Sequence, residues 1–141
     1  MASIQEIQAE IIEDFSFLPQ WDERYAYLIE LGQKMTTLPD EFRNEGNIVR
    51  GCQSAVWLQR DCRDGVIFLQ SDSTSLIVKG LSALLMKVFS GQPAEDVVKA
   101  ELVFLEEIGL NKHLSSQRSN GLMAMVEQIK TFAAKCAAGE E

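Results

Sequence analysis

The sequence predicts an α+β fold, a small antiparallel sheet with helices packed on one side and at the ends. Three observations predict it. Apolar residues recur at helical spacing near both ends of the chain, a period-two stretch centred on Asp64-Gly65 lies between them, and an almost wholly apolar helix follows that stretch. The 141 residues favour one domain spanning 1–141. A chain of this size buries roughly two-thirds of its unfolded surface, so its core requires neither a metal nor a disulfide.

Ile4, Ile7, Ile11, Ile12 and Phe15 define the first helix, with Ser3 as its N-cap. Trp21, Tyr25, Leu28 and Leu31 repeat the pattern in a second, whose first turn holds Asp22 and Glu23, where the macrodipole favours acids. Gly32 and then Leu38-Pro39 mark its expected end. Residues 37–47 are polar and irregular, the signature of a functional loop, and they lead into Ile48 to Ser54.

Residues 55–72 read as a hairpin around a type I′ turn at Asp64-Gly65. Pairing across that turn puts Val56, Leu58, Cys62, Ile67 and Leu69 on the inner face, opposite Gln59, Asp61, Arg63, Gln70 and Asp72 with Trp57, Val66 and Phe68. Asp72 or Ser73 is expected to cap a buried helix over 74–90, which packs across the sheet and ends at Gly91. Pro93 opens a short helix through Ala100, and 102–108 form another helical piece closed by Gly109. The last helix runs from Ser115 or Ser116 to about Ala138, with Leu122, Val126, Ile129, Ala133 and Cys136 as its apolar stripe. Gly80 and Gly121 interrupt two helices, where a missing side chain permits close packing.

Charge narrows the function classes. Thirteen bases face 21 acids for a formal net charge of −8, without a basic run, so nucleic acid is not an expected partner. The longest apolar stretches, around Leu81 to Met86, fall far short of the roughly 20 residues of a membrane span. Met1 to Phe17 carries Glu6, Glu10, Glu13 and Asp14 without Lys or Arg, the opposite of a signal peptide, so the expected location is cytoplasmic.

The chain has 3 cysteines and 1 histidine. An odd count at wide spacing suggests thiols and not a disulfide framework. Cys62 falls on the inner face of the hairpin and reads as a small buried hydrophobe, and Cys136 extends the last helix's stripe as a structural or incidental residue. Cys52 stands apart, between a polar loop and the first strand, after Gly51 and beside the cation Arg50, which would favour thiolate. Local sequence alone leaves it open between a functional thiol and a structural loop cysteine. A Cys52–His113 dyad for acyl transfer needs a base at hydrogen-bond reach, and His113 reads more simply as a residue at the end of a helical piece.

The run Asn47-Ile48-Val49-Arg50-Gly51-Cys52-Gln53-Ser54-Ala55-Val56-Trp57 resembles the active-cysteine segment of the SufE family of sulfur acceptors. Asp72-Ser73 with Ile77-Val78-Lys79-Gly80-Leu81 resembles the family's central-helix entry. Leu114, Arg118-Ser119-Asn120-Gly121-Leu122 and Ala124-Met125 resemble its C-terminal helix, and Tyr25 through Leu31-Gly32 is a weaker fourth match. The resemblance implies a fold shared with the scaffold proteins of iron–sulfur assembly. It implies Cys52 as a persulfide-carrying nucleophile, Arg118 as a supporting cation, and Arg50, Gly51, Gln53, Ser54 and Asp72 as loop-support or docking residues, with Asp72 as the acidic cap. Expected partners are a cysteine desulfurase, which uses pyridoxal phosphate, and an iron–sulfur scaffold complex as sulfur recipient. The chain itself would need no cofactor, and would be a monomer or weak homodimer that stimulates the desulfurase without being an enzyme. Two rival expectations remain, an independent thiol peroxidase or hydrolase using Cys52, and a docking module in which Cys52 is dispensable.

Overall fold

The computed structural model describes residues 2–52 and 54–139. Among them the chain forms α1 (Ile4–Ser16), α2 (Trp21–Lys34), β1 (Val56–Arg63), β2 (Val66–Ser73), α3 (Leu76–Phe89), α4 (Ala94–Lys99), α5 (Phe104–Glu107), α6 (Leu110–His113) and α7 (Ser116–Ala137), with 3₁₀ turns at Asp40–Phe42 and Glu45–Asn47. This is the expected α+β architecture.

Local rules account for most boundaries. Ser3 caps α1 in a full capping box with Glu6, and Ser115 caps α7 by accepting from the Arg118 N–H. The hairpin is antiparallel in the expected register, with Cys62 opposite Ile67 and Val56 opposite Ser73. Asp64 and Gly65 both take positive φ, 52° and 77°, as a type I′ turn requires. Two expectations fail at helix ends. The second helix runs through Gly32 to Lys34, because Gly32 lies against α3 and is a packing residue and not a stop. The cap of α3 is Ser75, whose hydroxyl accepts from the Val78 N–H, and not Asp72 or Ser73.

The core lies where α3 crosses the sheet's inner face. Leu81, Leu84, Leu85, Val88 and Phe89 meet Val56, Leu58, Ile67 and Leu69, with Phe15, Leu28, Phe104, Met125 and Ile129 closing round them. Burying each such side chain contributes about 1.5–3 kcal/mol. The one fully buried amide side chain in α1, Gln8, is satisfied: it donates to the Glu101 carbonyl and accepts from the Val103 and Phe104 N–H groups, joining α1 to the chain before α5. Lys130 of α7 donates to the carbonyls of Val97, Val98 and Ala100 at the end of α4.

The cysteines bring a correction. Cys62 and Cys136 are not thiols but a disulfide, with Cα atoms 5.8 Å apart, within bridging range. The inward face of β1 and the buried stripe of α7 are the same interface seen from two sides. Two cysteines that each read as core-facing alone therefore meet, although 74 residues separate them.

Candidate sulfur site at Cys52

A short excursion carries Cys52. Its stem is fixed by the Val49 N–H donating to the Val56 carbonyl at 2.9 Å and by an antiparallel bridge between Ile48 and Trp57. On the exit side, the Ala55 carbonyl accepts from the Ser73 hydroxyl at 2.9 Å and from the Thr74 N–H at 3.1 Å. Between these anchors the chain reverses at Gly51, whose φ of 94° is open to glycine and costly for other residues. Gln53 lies outside the described residues.

A second set of contacts braces the approach. Arg43, from the polar segment before the excursion, donates through Nε to Asp72 Oδ2 at 3.1 Å and pairs with Asp40. Asp72, buried at the end of β2 opposite Trp57, also accepts from the Ser73 N–H at 2.8 Å and lies 3.3 Å from Lys79 Nζ. Burial pushes the Asp72 carboxyl up, but the Arg43 hydrogen bond, the Ser73 N–H and Lys79 more than offset this, holding it below its ordinary 3.8. Asp72 is thus an ion-pair centre at the base of the loop. Sequence reasoning missed Arg43, because nothing local marks one arginine of a polar loop as the partner of a residue 29 positions on.

The Cys52 thiol is half-buried and free. Its S–H donates to the Gly121 carbonyl at 3.5 Å. Gly121 makes this seat: a Cβ there would stand 2.9 Å from Cys52 Sγ. Beside the sulfur is a cavity of about 80 Å³ walled by Val78 and Leu81 of α3, by Gln117, Arg118, Leu122 and Met125 of α7, and by Ser54. That is several times the volume one water needs. Arg118, otherwise exposed, has no ion-pair partner among the described residues and stands at this cavity.

The electrostatics differ from expectation. Arg50 does not serve the thiol; it is exposed and pairs with Glu45 at 3.3 Å. Burial raises the Cys52 pKa above its ordinary 9.0, so the resting form is thiol. His113 stacks its ring on Trp21 at 3.7 Å, and the cavity walls include no His, Asp, Glu or second Cys among the described residues. Of the residues singled out in the sequence, Cys52, Ser54, Arg118 and Gly121 come together. Gly51 shapes the turn, Asp72 braces the stem, and Arg50 faces away.

Comparison with known proteins bears on the family and the fold. The family model described as "SufE: Fe-S metabolism associated domain" matches residues 9–133. An uncharacterized SufE-like protein of Rhizobium meliloti is 41% identical over 129 residues, covering 88% of this chain and 92% of its own. Another from Rhizobium etli is 41% identical over 135 residues, with coverages of 92% and 88%. A solution structure of a hypothetical protein from Thermus thermophilus shares the fold, with TM-score 0.76 at 23% identity over 94% of this chain and 96% of that one.

Proposed function

The chain belongs to the SufE family, and we propose that within it Cys52 accepts sulfur as a persulfide from a cysteine desulfurase and passes it to iron–sulfur cluster assembly. One observation carries this reading: a lone thiol seated against Gly121, beside a small cavity with a cation at its wall and no base or second thiol among the described residues. A hydrolase or peroxidase built on Cys52 would need an activating base or a resolving thiol there.

The step is thiol–persulfide exchange. Cys52 gives up its proton, and its thiolate attacks the outer sulfur of the desulfurase persulfide. The donor's S–S bond breaks, the desulfurase cysteine leaves as thiolate, and Cys52 holds the persulfide. Attack on the inner sulfur would give a mixed disulfide instead, so reach decides the product. A loop tip held at its stem, and at its end by the long Cys52–Gly121 contact, supplies that reach once the contact is broken. Because burial holds the resting group as thiol, docking must draw Cys52 out of its seat before it reacts. On return, the 80 Å³ cavity receives the added sulfur between mixed walls, the apolar side from Val78, Leu81, Leu122 and Met125 and the polar side from Ser54, Gln117 and Arg118, whose charge would balance that of the sulfur. Asp72 and Arg43 hold the stem while the tip moves, and Arg50, exposed beside the tip, is positioned to meet the partner. The recipient is an iron–sulfur scaffold complex, and the chain acts as a cytoplasmic stimulator of the desulfurase with no cofactor of its own.

The test incubates the protein with a cysteine desulfurase and labelled cysteine without reductant, then reads intact mass and maps the label. One or more added sulfur atoms on Cys52, absent in Cys52→Ser, are expected, and the variant should still dock while losing stimulation. No sulfur on Cys52 with a competent desulfurase would overturn the reading in favour of the independent thiol enzyme. Full stimulation by Cys52→Ser would show a docking module instead.

A further inference from the structure

The Cys62–Cys136 pair is a second sulfur site that the transfer chemistry does not use. We propose that it is a reducible staple, open to exchange with a dithiol reductant, whose redox state sets how firmly the C-terminal half of α7 is held against the hairpin.

Three features carry this. The bond joins the end of β1 to the last turn of α7 across 74 residues, so it ties elements that no short connection holds together. The two elements it ties are separated beside it by an open groove of about 800 Å³, with Arg60 on one wall and Gln128, Thr131, Phe132 and Lys135 on the other. Across that groove the Arg60 guanidinium reaches Gln128 Oε1 only at 3.4 Å, a long hydrogen bond. The covalent bond therefore adds a constraint on the groove's width beside the buried seam of Ile129, Ala133 and Cys136. The third feature is the far rim, made by Asn47 and Arg50, which flank the Cys52 excursion. A change in groove width is thus presented on the same face as the loop tip.

Access to the two sulfurs is unequal. Cys136 is 3% exposed, whereas Cys62 is half-buried. A reductant thiolate would attack Cys62 Sγ, forming a mixed disulfide there and expelling Cys136 as thiolate, which takes up a proton. The reductant's second thiol then attacks its own sulfur in the mixed disulfide and releases Cys62. Two electrons pass to the protein, which gains two thiols, and the reductant ends as its disulfide.

The experiment uses the full chain purified without reductant. Native protein is alkylated with N-ethylmaleimide before and after treatment with dithiothreitol, and masses, thermal midpoints and amide hydrogen exchange are compared. Cys52 alone should be labelled before reduction, and all three cysteines after it. The midpoint should fall by roughly 10 °C once a loop of this length is released. Exchange should quicken most in 129–137 and 56–63, beyond the general rise that lower global stability brings to α2 and α3. The Cys62→Ser, Cys136→Ser double variant should match the reduced protein in both conditions; should it fail to fold, native reduction of the wild type still decides. Labelling of all three cysteines before reduction, resistance to dithiothreitol in the native state, or an unchanged midpoint and exchange pattern would each overturn the proposal.

Discussion

Gly80 and Gly121 are the same device put to different ends. Each is a glycine inside a helix, and each has a neighbour where its side chain would be. At Gly80 the neighbour is backbone: a Cβ would enter the van der Waals shell of the Leu28 carbonyl, and from the other side a Cβ on Gly32 would stand 2.9 Å from Gly80 N. The helices α2 and α3 are locked together there, and nothing in the contact can turn aside. At Gly121 the tight neighbour is the Cys52 sulfur, 2.9 Å from where a Cβ would lie, with the Cys52 Cα and Cβ at an ordinary 3.5 Å. One χ rotation, or a shift of the tip, empties that seat. Close approach of backbone to backbone makes a fixed joint, whereas close approach of backbone to a mobile side chain makes a seat that can be left and reoccupied.

The sharpest way to break this comparison is Gly80→Ala. Two helix backbones must separate to admit the methyl group, so the variant should lose about 3 kcal/mol, or fail to fold, in urea or guanidinium unfolding. A loss under about 1 kcal/mol would show that the α2–α3 joint yields after all.

Gly121→Ala should behave differently. Alanine favours the helix by up to about 1 kcal/mol, offsetting the crowding of Cys52, so net stability should move by less than that. The thiol should instead be displaced towards solvent, and its alkylation by iodoacetamide should speed up several-fold. The pH dependence sharpens the point. In the wild type, burial raises the Cys52 pKa above 9.0, so the alkylation profile should have its midpoint above that value. Because the raised pKa favours the neutral folded form, this contribution to stability is present below the unfolded pKa and lost as pH rises through the folded one. In Gly121→Ala the midpoint should return towards 9.0. An unchanged rate and midpoint would mean that Gly121 does not seat the sulfur.

The effect furthest from the thiol is at the stem. Asp72→Asn keeps an acceptor for the Ser73 N–H but leaves Lys79 without its charge partner and Arg43 with Asp40 alone, and should cost about 1 kcal/mol at pH 7. The wild-type carboxyl pKa is depressed, so its contribution is present above 3.8 and lost as pH falls through the lower folded value. Denaturant unfolding should therefore separate wild type from variant at pH 7 and bring them together in strong acid. A constant gap at all pH values would assign the cost to packing and not to charge.

Much of the fold was legible because its causes are local. A capping box, a type I′ dipeptide and a period-two pattern each act within a few residues, so Ser3, Asp64-Gly65 and the hairpin faces could be read directly. The α7 stripe read correctly for the same reason, since Leu122, Val126, Ile129, Ala133 and Cys136 are all buried. The Asp72 cap was misassigned because Asp72, Ser73 and Ser75 are all competent caps within four positions, and Ser75 holds the geometry once Arg43 and Lys79 claim the aspartate. The polarity of the Cys52 environment was misjudged too. Adjacency in sequence placed Arg50 beside the thiol, but the turn at Gly51 points Arg50 to Glu45 and solvent.

By itself, the sequence determined the order of the main helices and the two strands, though not α6 or the 3₁₀ turns, the inner and outer faces of the hairpin, the family, and Cys52 as the thiol to examine. These follow from periodicity, from short-range hydrogen bonding and from contiguous motifs, all of which survive in one dimension. Tertiary structure alone decided that Gly121 seats the sulfur 69 positions away, that Arg43 braces Asp72, and that Cys62 meets Cys136. A partner chosen across the core depends on how helices and sheet stack, and that stacking is set by the summed burial of many side chains, none of which carries the address of its neighbour.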